Sequence, residues 1–410
     1  MVRHGVIALA ALFSAAASAG DADTLAEQSL QFGGFGTLGW AWSDVAGADF
    51  RRDVSQAPSG TGRSHGSFEP DSRVGIQASY RYLSAWSAVG QLVSRYRYDG
   101  SWRPELTWGF LSYLSEAGVT ARAGRLGFDV YPLADSTNVG YTYLPVRPPT
   151  EYYGTLPIQS LDGLDVSYLW PVGTAAIKTK AYIGTARSTI PVDEVRNYSL
   201  NGSPLVGAYL EYQGEPWSGR LGYSRIKLKD ELPLEELFTV LRDYGIPGGP
   251  ELADRLSVKG RQFGYLVGSL SYQAGGWQAI LAASYFHSNS DAIQGYYSGY
   301  AHAGYRVGPV TPYLVLSAAR SNDLNPTTGL PPVPALAPVE AAANRLLQVN
   351  LSDQRSVALG VRYDPMQNIA VKLQADRVSG TRSSTLWFGD ADLPDHFRFW
   401  VFSAALDFAF

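Results

Sequence analysis

The sequence predicts an all-β chain: a transmembrane antiparallel up-and-down β-barrel of about 16 strands, with short turns at one end and long loops at the other. Three features point there. Segment after segment alternates apolar and polar side chains with period two. The connections between these segments alternate between tight turns and long loops. The chain ends on an alternating aromatic segment, FWVFSAALDFAF, with Trp400, Phe402, Ala404, Leu406, Phe408 and Phe410 on one face.

The strands follow in order. Leu30–Ser43 carries Phe32, Leu38, Trp40 and Trp42 on one face. Arg73–Tyr82 and Ala85–Tyr98 meet at Leu83-Ser84, and Glu105–Leu114 and Val119–Leu126 at Glu116-Ala117-Gly118. Leu164–Trp170 and Thr174–Gly184 join at Pro171-Val172-Gly173, and Leu205–Gln213 and Ser218–Leu228 at Gly214-Glu215-Pro216. Gln262–Gln273 and Trp277–His287 share the turn Ala274-Gly275-Gly276, and Gly295–Val307 and Thr311–Ser321 share Gly308-Pro309. Arg355–Tyr363 and Ile369–Val378 meet at Asp364-Pro365, and Arg398–Phe410 closes the set. Gly, Pro and Asp at the turns supply the backbone that tight reversals need.

Between these hairpins lie Asp44–Ser72, Asp99–Pro104, Gly127–Gly163, Thr185–Pro204, Lys229–Arg261, Ser288–Gln294, Asn322–Gln354 and Ser379–Phe397. The first strand begins, and the last ends, on the short-turn side. The two can therefore pair and leave no open edge, as a sheet in lipid requires. Merging or splitting single segments would give about 14 or 18 strands on the same logic. Leu234–Tyr244 (LEELFTVLRDY) and Val339–Leu347 (VEAAANRLL) read as short helices in the long loops, packing over the mouth or docking a partner.

Residues 1–19 read as a signal peptide. A basic head, Arg3-His4, precedes the small apolar run Val6 to Ala19, and Ala17-Ser18-Ala19 offers a small-x-small cleavage site. That run is about 14 residues, short of the roughly 20 a membrane helix needs. Cleavage leaves 20–410 as the barrel. A formal net charge of −4 gives no reason to expect a nucleic-acid partner. The absence of cysteine excludes disulfides and thiolate metal sites. With charged residues at only 17% and aromatics at 13%, the composition suits strands that face lipid on one side and water on the other.

Ala121–Gly127, ARAGRLG, places an Arg-x-Gly-Arg stretch just before the longest loop, and the next strand opens with Leu161-Asp162-Gly163-Leu164-Asp165. With the aromatic last strand, this pattern resembles the trimeric, 16-stranded general porins of Gram-negative bacteria, across nearly all of the mature chain. The resemblance implies an outer-membrane channel for passive diffusion of small polar solutes and ions. It also implies a homotrimer in lipid, and a terminal Phe410 read by the barrel-assembly machinery. Gly34 and Gly36 on the first strand offer a small-residue face for subunit contact. By the same resemblance Gly127–Gly163 folds inward as a constriction, although this loop lacks the acidic Pro-Glu-Phe-Gly-Gly tip of the enterobacterial members.

A channel needs charged and polar groups on its inner wall, not a nucleophile or a cofactor. An Arg or Lys facing lipid at the midplane costs about 2–4 kcal/mol, so mid-strand basic residues are expected to face inward. Arg73 opposes Val74 and Ile76, and Arg95 and Arg97 oppose Leu92, Tyr96 and Tyr98. Lys178 and Lys180 oppose Ile177 and Ile183, and Arg362 and Lys372 oppose Val361, Val371 and Leu373. Arg125 takes the family's basic wall position by resemblance. Arg122 has the opposite parity, so both face in only if a bulge intervenes. The expected filter is a ladder of Arg73, Arg95, Arg97 and Arg125 facing Asp129, Asp135 and Glu151 of the loop, with mild anion preference. The alternatives are a channel specific for a sugar, aromatic acid or peptide, and a plugged structural or adhesive barrel. His287-Ser288-Asn289 is a poor catalytic triad, because adjacent strand residues alternate faces. Asp44, Asp49 and Asp53 in the first loop could bind Ca²⁺.

Overall fold

A computed structural model describes residues 29–410 apart from 63, 83, 194, 350, 382–386 and 390–394. The signal segment 1–19, Leu83 of the first tight turn and much of the last long loop lie outside the described residues. Sixteen strands form one closed antiparallel barrel. In chain order they are β1 (Ser29–Ser43), β2 (Arg73–Tyr82), β3 (Trp86–Arg95), β4 (Glu105–Leu114), β5 (Val119–Gly127), β6 (Ser160–Val172), β7 (Ala175–Arg187) and β8 (Pro204–Gln213). There follow β9 (Trp217–Lys227), β10 (Gln262–Ala274), β11 (Trp277–His287), β12 (Tyr296–Tyr305), β13 (Val310–Ser321), β14 (Asp353–Met366), β15 (Ile369–Thr381) and β16 (His396–Ala409). Each strand pairs with its sequence neighbour, and β1 closes on β16 in register Phe35↔Ala409 to Ser43↔Val401. Closure leaves no barrel edge whose backbone groups would be unpaired in lipid.

The outer wall is apolar. Leu38, Ile76, Leu111, Leu164, Ile183, Leu221, Leu281 and Leu359 are all exposed there. Aromatic pairs ring the short-turn end: Trp86 with Tyr113, Trp217 with Tyr272, and Trp277 with Tyr305, at 4.8, 4.7 and 4.9 Å between centroids. Their amphipathic rings suit the membrane interface.

Gly34 and Gly36 serve the closing seam, not an open small-residue face. The ring of Phe410 lies over Gly34 and that of Phe408 over Gly36, and a Cβ at either position would collide with the ring. The Gly34 amide donates to the Phe410 carbonyl at 2.9 Å, and the Phe410 amide returns the bond at 2.9 Å.

The interior is filled mainly by loops. Loop 1 (residues 44–72) turns inward and packs Val45, Ala48 and Phe50 against Val378, Phe399 and Val401 of β15 and β16. Loop 3 (residues 128–159) starts where β5 ends and carries the one-turn helix α1 (Thr150–Tyr153). The sequence expectation left Ser160–Gly163 in this loop, but β6 begins at Ser160, paired with Gly127 and Arg187. The loop between β9 and β10 carries α2 (Glu235–Asp243), close to its expected span, and a second helix, α3 (Gly249–Leu256), not foreseen from the sequence. The loop after β13 carries α4 (Ala337–Val349). Leu241, Leu252, Leu256 and Leu347 from these helices join Leu126, Val130, Tyr152 and Leu161 in one apolar cluster. The helices therefore bury their apolar faces over the mouth of the barrel.

Candidate functional site

The strand register places the first basic residues. Arg73 lies opposite Arg95 across the β2–β3 ladder, and Gln77 opposite Gln91. All four side chains face inward and are buried. The Gln91 amide donates to Gln77 Oε1 at 2.9 Å, and the Thr107 hydroxyl donates to Gln91 Oε1 at 2.7 Å. A register shift between Gln91 and Leu92 marks a bulge that lets Thr107 and Trp108 share this inner surface.

Loop 1 adds a third guanidinium that strand parity did not reveal. Arg52 donates through Nη2 to the Thr137 carbonyl at 3.0 Å and to the Tyr143 hydroxyl at 3.1 Å. Arg73 reaches the same stretch of loop 3, at Asn138 Oδ1, 3.4 Å away. Carboxylates stand nearby. Asp53 is 3.8 Å from Arg95, and Asp71 is 3.6 Å from Arg52. Asp71 is mostly engaged elsewhere, since Arg147 of loop 3 donates to it through Nε at 2.9 Å. Burial pushes the Asp71 carboxyl up, but Arg147 outweighs it and holds the group below the usual carboxylate range. Asp53 behaves alike, with Arg95 and the Ser55 hydroxyl outweighing burial. Arg52, Arg73 and Arg95 thus share Asp53, Glu105 (3.9 Å from Arg95) and part of Asp71, leaving a slight excess of positive charge.

A second cluster is balanced. Arg122 forks onto Asp165, with Nε 2.9 Å from Oδ1. Lys180 sits 2.6 Å from Asp129 and 2.9 Å from Asp165. Arg220 pairs with Glu211 and donates to the Asp129 carbonyl at 2.6 Å. Burial pushes the Asp129 carboxyl up, but Lys180, Arg122 and Arg220 outweigh it and hold it at about 2. Asp135, in a 3-10 turn of loop 3, is raised by burial and by Asp129.

The acids of loop 3 do not form the row expected opposite the ladder. Asp129 belongs to Lys180. Glu151 lies across the lumen, where Ser317 and Gln354 donate to it at 2.6 Å each, with the Ser356 hydroxyl as a third donor. Loop 3 crosses the barrel because the far wall satisfies its polar groups there. Lys372, fully buried, donates to the carbonyls of Gly140, Tyr143 and Pro145 at 2.7, 2.6 and 3.0 Å and lies 2.9 Å from Asp407. Arg362 donates to the Tyr141 and Tyr143 carbonyls at 2.8 and 3.1 Å and pairs with Asp364. Both residues face inward but hold the loop down instead of lining free space. Lys178 is half-buried, with its ammonium 6.0 Å from the Tyr209 ring.

Arg125 is placed otherwise than expected. Its neighbours Leu126, Leu161 and Ala186 share one register row and are buried inside. The adjacent row of Arg125, Asp162 and Thr185 therefore faces outward, with Leu164 and Ile183. Arg125 forks onto Asp162 at 2.7 Å, and Arg187 joins the same carboxylate at 2.6 Å. Of the Arg-x-Gly-Arg pair, Arg122 faces in and Arg125 faces out. Arg97 lies just past β3, half-buried, with its guanidinium 5.3 Å from the Tyr98 ring.

The first-loop aspartates serve separate partners: Asp44 accepts from the Trp400 amide, Asp49 from the Gly60 amide, and Asp53 faces Arg95. Among the described residues no group of three His, Asp or Glu could hold a metal ion. Ser288 donates to the Ser290 carbonyl at 2.9 Å, away from any role with His287.

A closed 16-stranded antiparallel barrel with an inward third loop is the fold of the outer-membrane porins, and this chain has that fold. Solved structures similar to it include OmpF of Salmonella typhi, in complex with daunomycin, at 11% identity with a TM-score of 0.54, covering 93% of this chain and 98% of that one. The outer membrane channel DcaP of Acinetobacter baumannii matches at 12% identity and a TM-score of 0.54, covering 93% and 97%. OprB of Pseudomonas putida matches at 11% identity and a TM-score of 0.52, covering 93% and 94%. No family model and no curated protein matches the chain.

Proposed function

We propose that this chain is an outer-membrane channel for passive diffusion of small polar solutes, with a mild preference for anions and no enzymatic role. The observation that carries this reading is the inward cluster of Arg52, Arg73 and Arg95, whose charge slightly exceeds that of Asp53, Glu105 and the shared Asp71. Arginines held in place on a pore wall lower the barrier for anions and raise it for cations. Export with a cleaved signal, assembly through Phe410 and association as a homotrimer complete the reading.

Planar-bilayer recordings test it. Discrete conductance steps with a reversal potential of anion sign in a salt gradient support the proposal. Cation preference refutes the selectivity. Absence of steps replaces the channel with a plugged structural barrel. A substrate-specific channel is the second reading, favoured by the inward folding of both loop 1 and loop 3. Saturable flux of one solute class in liposome swelling would select it over a general pore.

A further inference from the structure

Pairing between β4 and β5 stops at Gly109↔Arg125, although β4 starts at Glu105 and β5 runs to Gly127. The two strands part near the long-loop end of the barrel, where loop 3 leaves the wall. A cavity of about 180 Å³ sits at this point. Inner-face residues Arg95, Arg97 and Glu105 line it together with Arg125 and Arg187, which sit on the outward-facing register. One cavity therefore touches both sides of the wall. Four guanidiniums line it against the single carboxylate of Glu105, with Asp162 clamped between Arg125 and Arg187.

Arg95 is 7% exposed, and its buried Nε has no hydrogen-bond partner. Its nearest acids, Asp53 and Glu105, are 3.8 and 3.9 Å away, beyond hydrogen-bond reach. No carboxylate thus fully matches the Arg95 guanidinium, and an anion in the cavity would add to its partners. Arg125 and Arg187 remain 25% and 43% exposed even after pairing with Asp162. Leu164 and Ile183 flank them on the exposed outer wall.

We infer that this window in the wall binds a phosphate monoester group, presented by an outer-leaflet lipid headgroup or by a solute at the mouth. A tetrahedral dianion carries more charge and more acceptor oxygens than a carboxylate, and so suits several guanidiniums at once. The cavity opens toward lipid through Arg125 and Arg187, so a headgroup can enter from the membrane side. This site is distinct from the proposed filter, sharing only Arg95 with it.

The test uses the full folded barrel. In detergent, binding of inorganic phosphate is followed by titration calorimetry. In vesicles of phosphatidylcholine with phosphatidic acid, retention of the phosphomonoester lipid is read by native mass spectrometry after extraction. Retained phosphatidic acid without phosphate binding identifies a headgroup site, and phosphate binding without lipid retention identifies a solute site. Either result supports the proposal, provided that Arg125→Gln with Arg187→Gln weakens binding by about tenfold or more. Heat-modified gel mobility checks that this variant folds, and Arg125→Lys, which keeps the charge but loses the fork, is expected to bind with intermediate strength. Binding of neither probe by the wild-type barrel, or equal binding by the double variant, overturns the proposal. Bilayer conductance is read separately, so loss of the window leaves the channel proposal standing.

Discussion

Arg122 and Arg125 are three positions apart on one strand, and strand geometry sends them to opposite faces. Arg122 is neutralised by Asp165, so the proposed anion preference rests on Arg52, Arg73 and Arg95. Arg95→Glu is therefore expected to move the reversal potential toward cations, whereas Lys178→Gln, beside Tyr209, is expected to change it little; single-channel recordings in a salt gradient compare the two. Lys372 answers for structure. Lys372→Met leaves Asp407 buried without its cation and strips three loop carbonyls of a donor, a loss of about 3–5 kcal/mol that urea unfolding of the folded barrel would show. Asp129 makes docking of loop 3 pH-dependent. Its carboxyl is held at about 2 in the folded protein, below the roughly 3.9 of an unfolded aspartate. The stabilisation is thus present above about pH 4 and is lost as pH falls toward about 2. Hydrogen exchange at Asp129–Tyr131 is expected to accelerate over that window and not above it.

At the scale of elements, loop 3 behaves as a docked strap. Its charged, amide and carbonyl groups meet partners on β13 to β16, among them Ser317, Gln354, Lys372 and Ser403. Gly140 packs where a Cβ would strike Asp407 and Thr37, so only glycine lets the chain come this close. Gly140→Val is expected to release the Val139–Pro145 stretch. The readouts are a larger single-channel conductance and faster hydrogen exchange in that stretch, with the barrel's folded gel mobility retained. Unchanged conductance would mean that this stretch does not bound the path. The helices α2, α3 and α4 differ in kind, since they bury leucines against one another and against loop 3, while Arg255 of α3 ties them to neighbouring loops through Asp291 and the Thr327 and Thr328 carbonyls.

For the whole molecule, closure of β1 on β16 is the step that turns a sheet into a membrane protein. The seam combines backbone pairing with Phe408 and Phe410 rings laid over Gly36 and Gly34. Gly34→Val is expected to displace the terminal ring and reduce the yield of folded barrel, measured as the heat-modifiable fraction on gels. Phe410→Ala should reduce the yield less, because it removes ring contact without adding a clash. Sequence patterning read the glycines as a subunit face because alternation shows which residues share a side but not what covers them.

The sequence by itself determined the barrel: the inside and outside of most strands, the alternation of turns and loops, and the pairing of the two ends. These follow from a period-two pattern that each strand carries alone, with a large penalty for exposing polar groups to lipid. Arg73 and Arg95 were legible for that reason. Only the tertiary structure decided which charges are left uncompensated. Arg52 enters from a loop with no periodicity, Glu151 is met by hydroxyls and an amide far along the chain, and Lys372 is covered by the carbonyls of loop 3. Such partners are long-range, and nothing in the local pattern of a segment specifies them. The parity of the Arg-x-Gly-Arg stretch showed that its two arginines differ, and the register with β6 decided which of them faces the lumen.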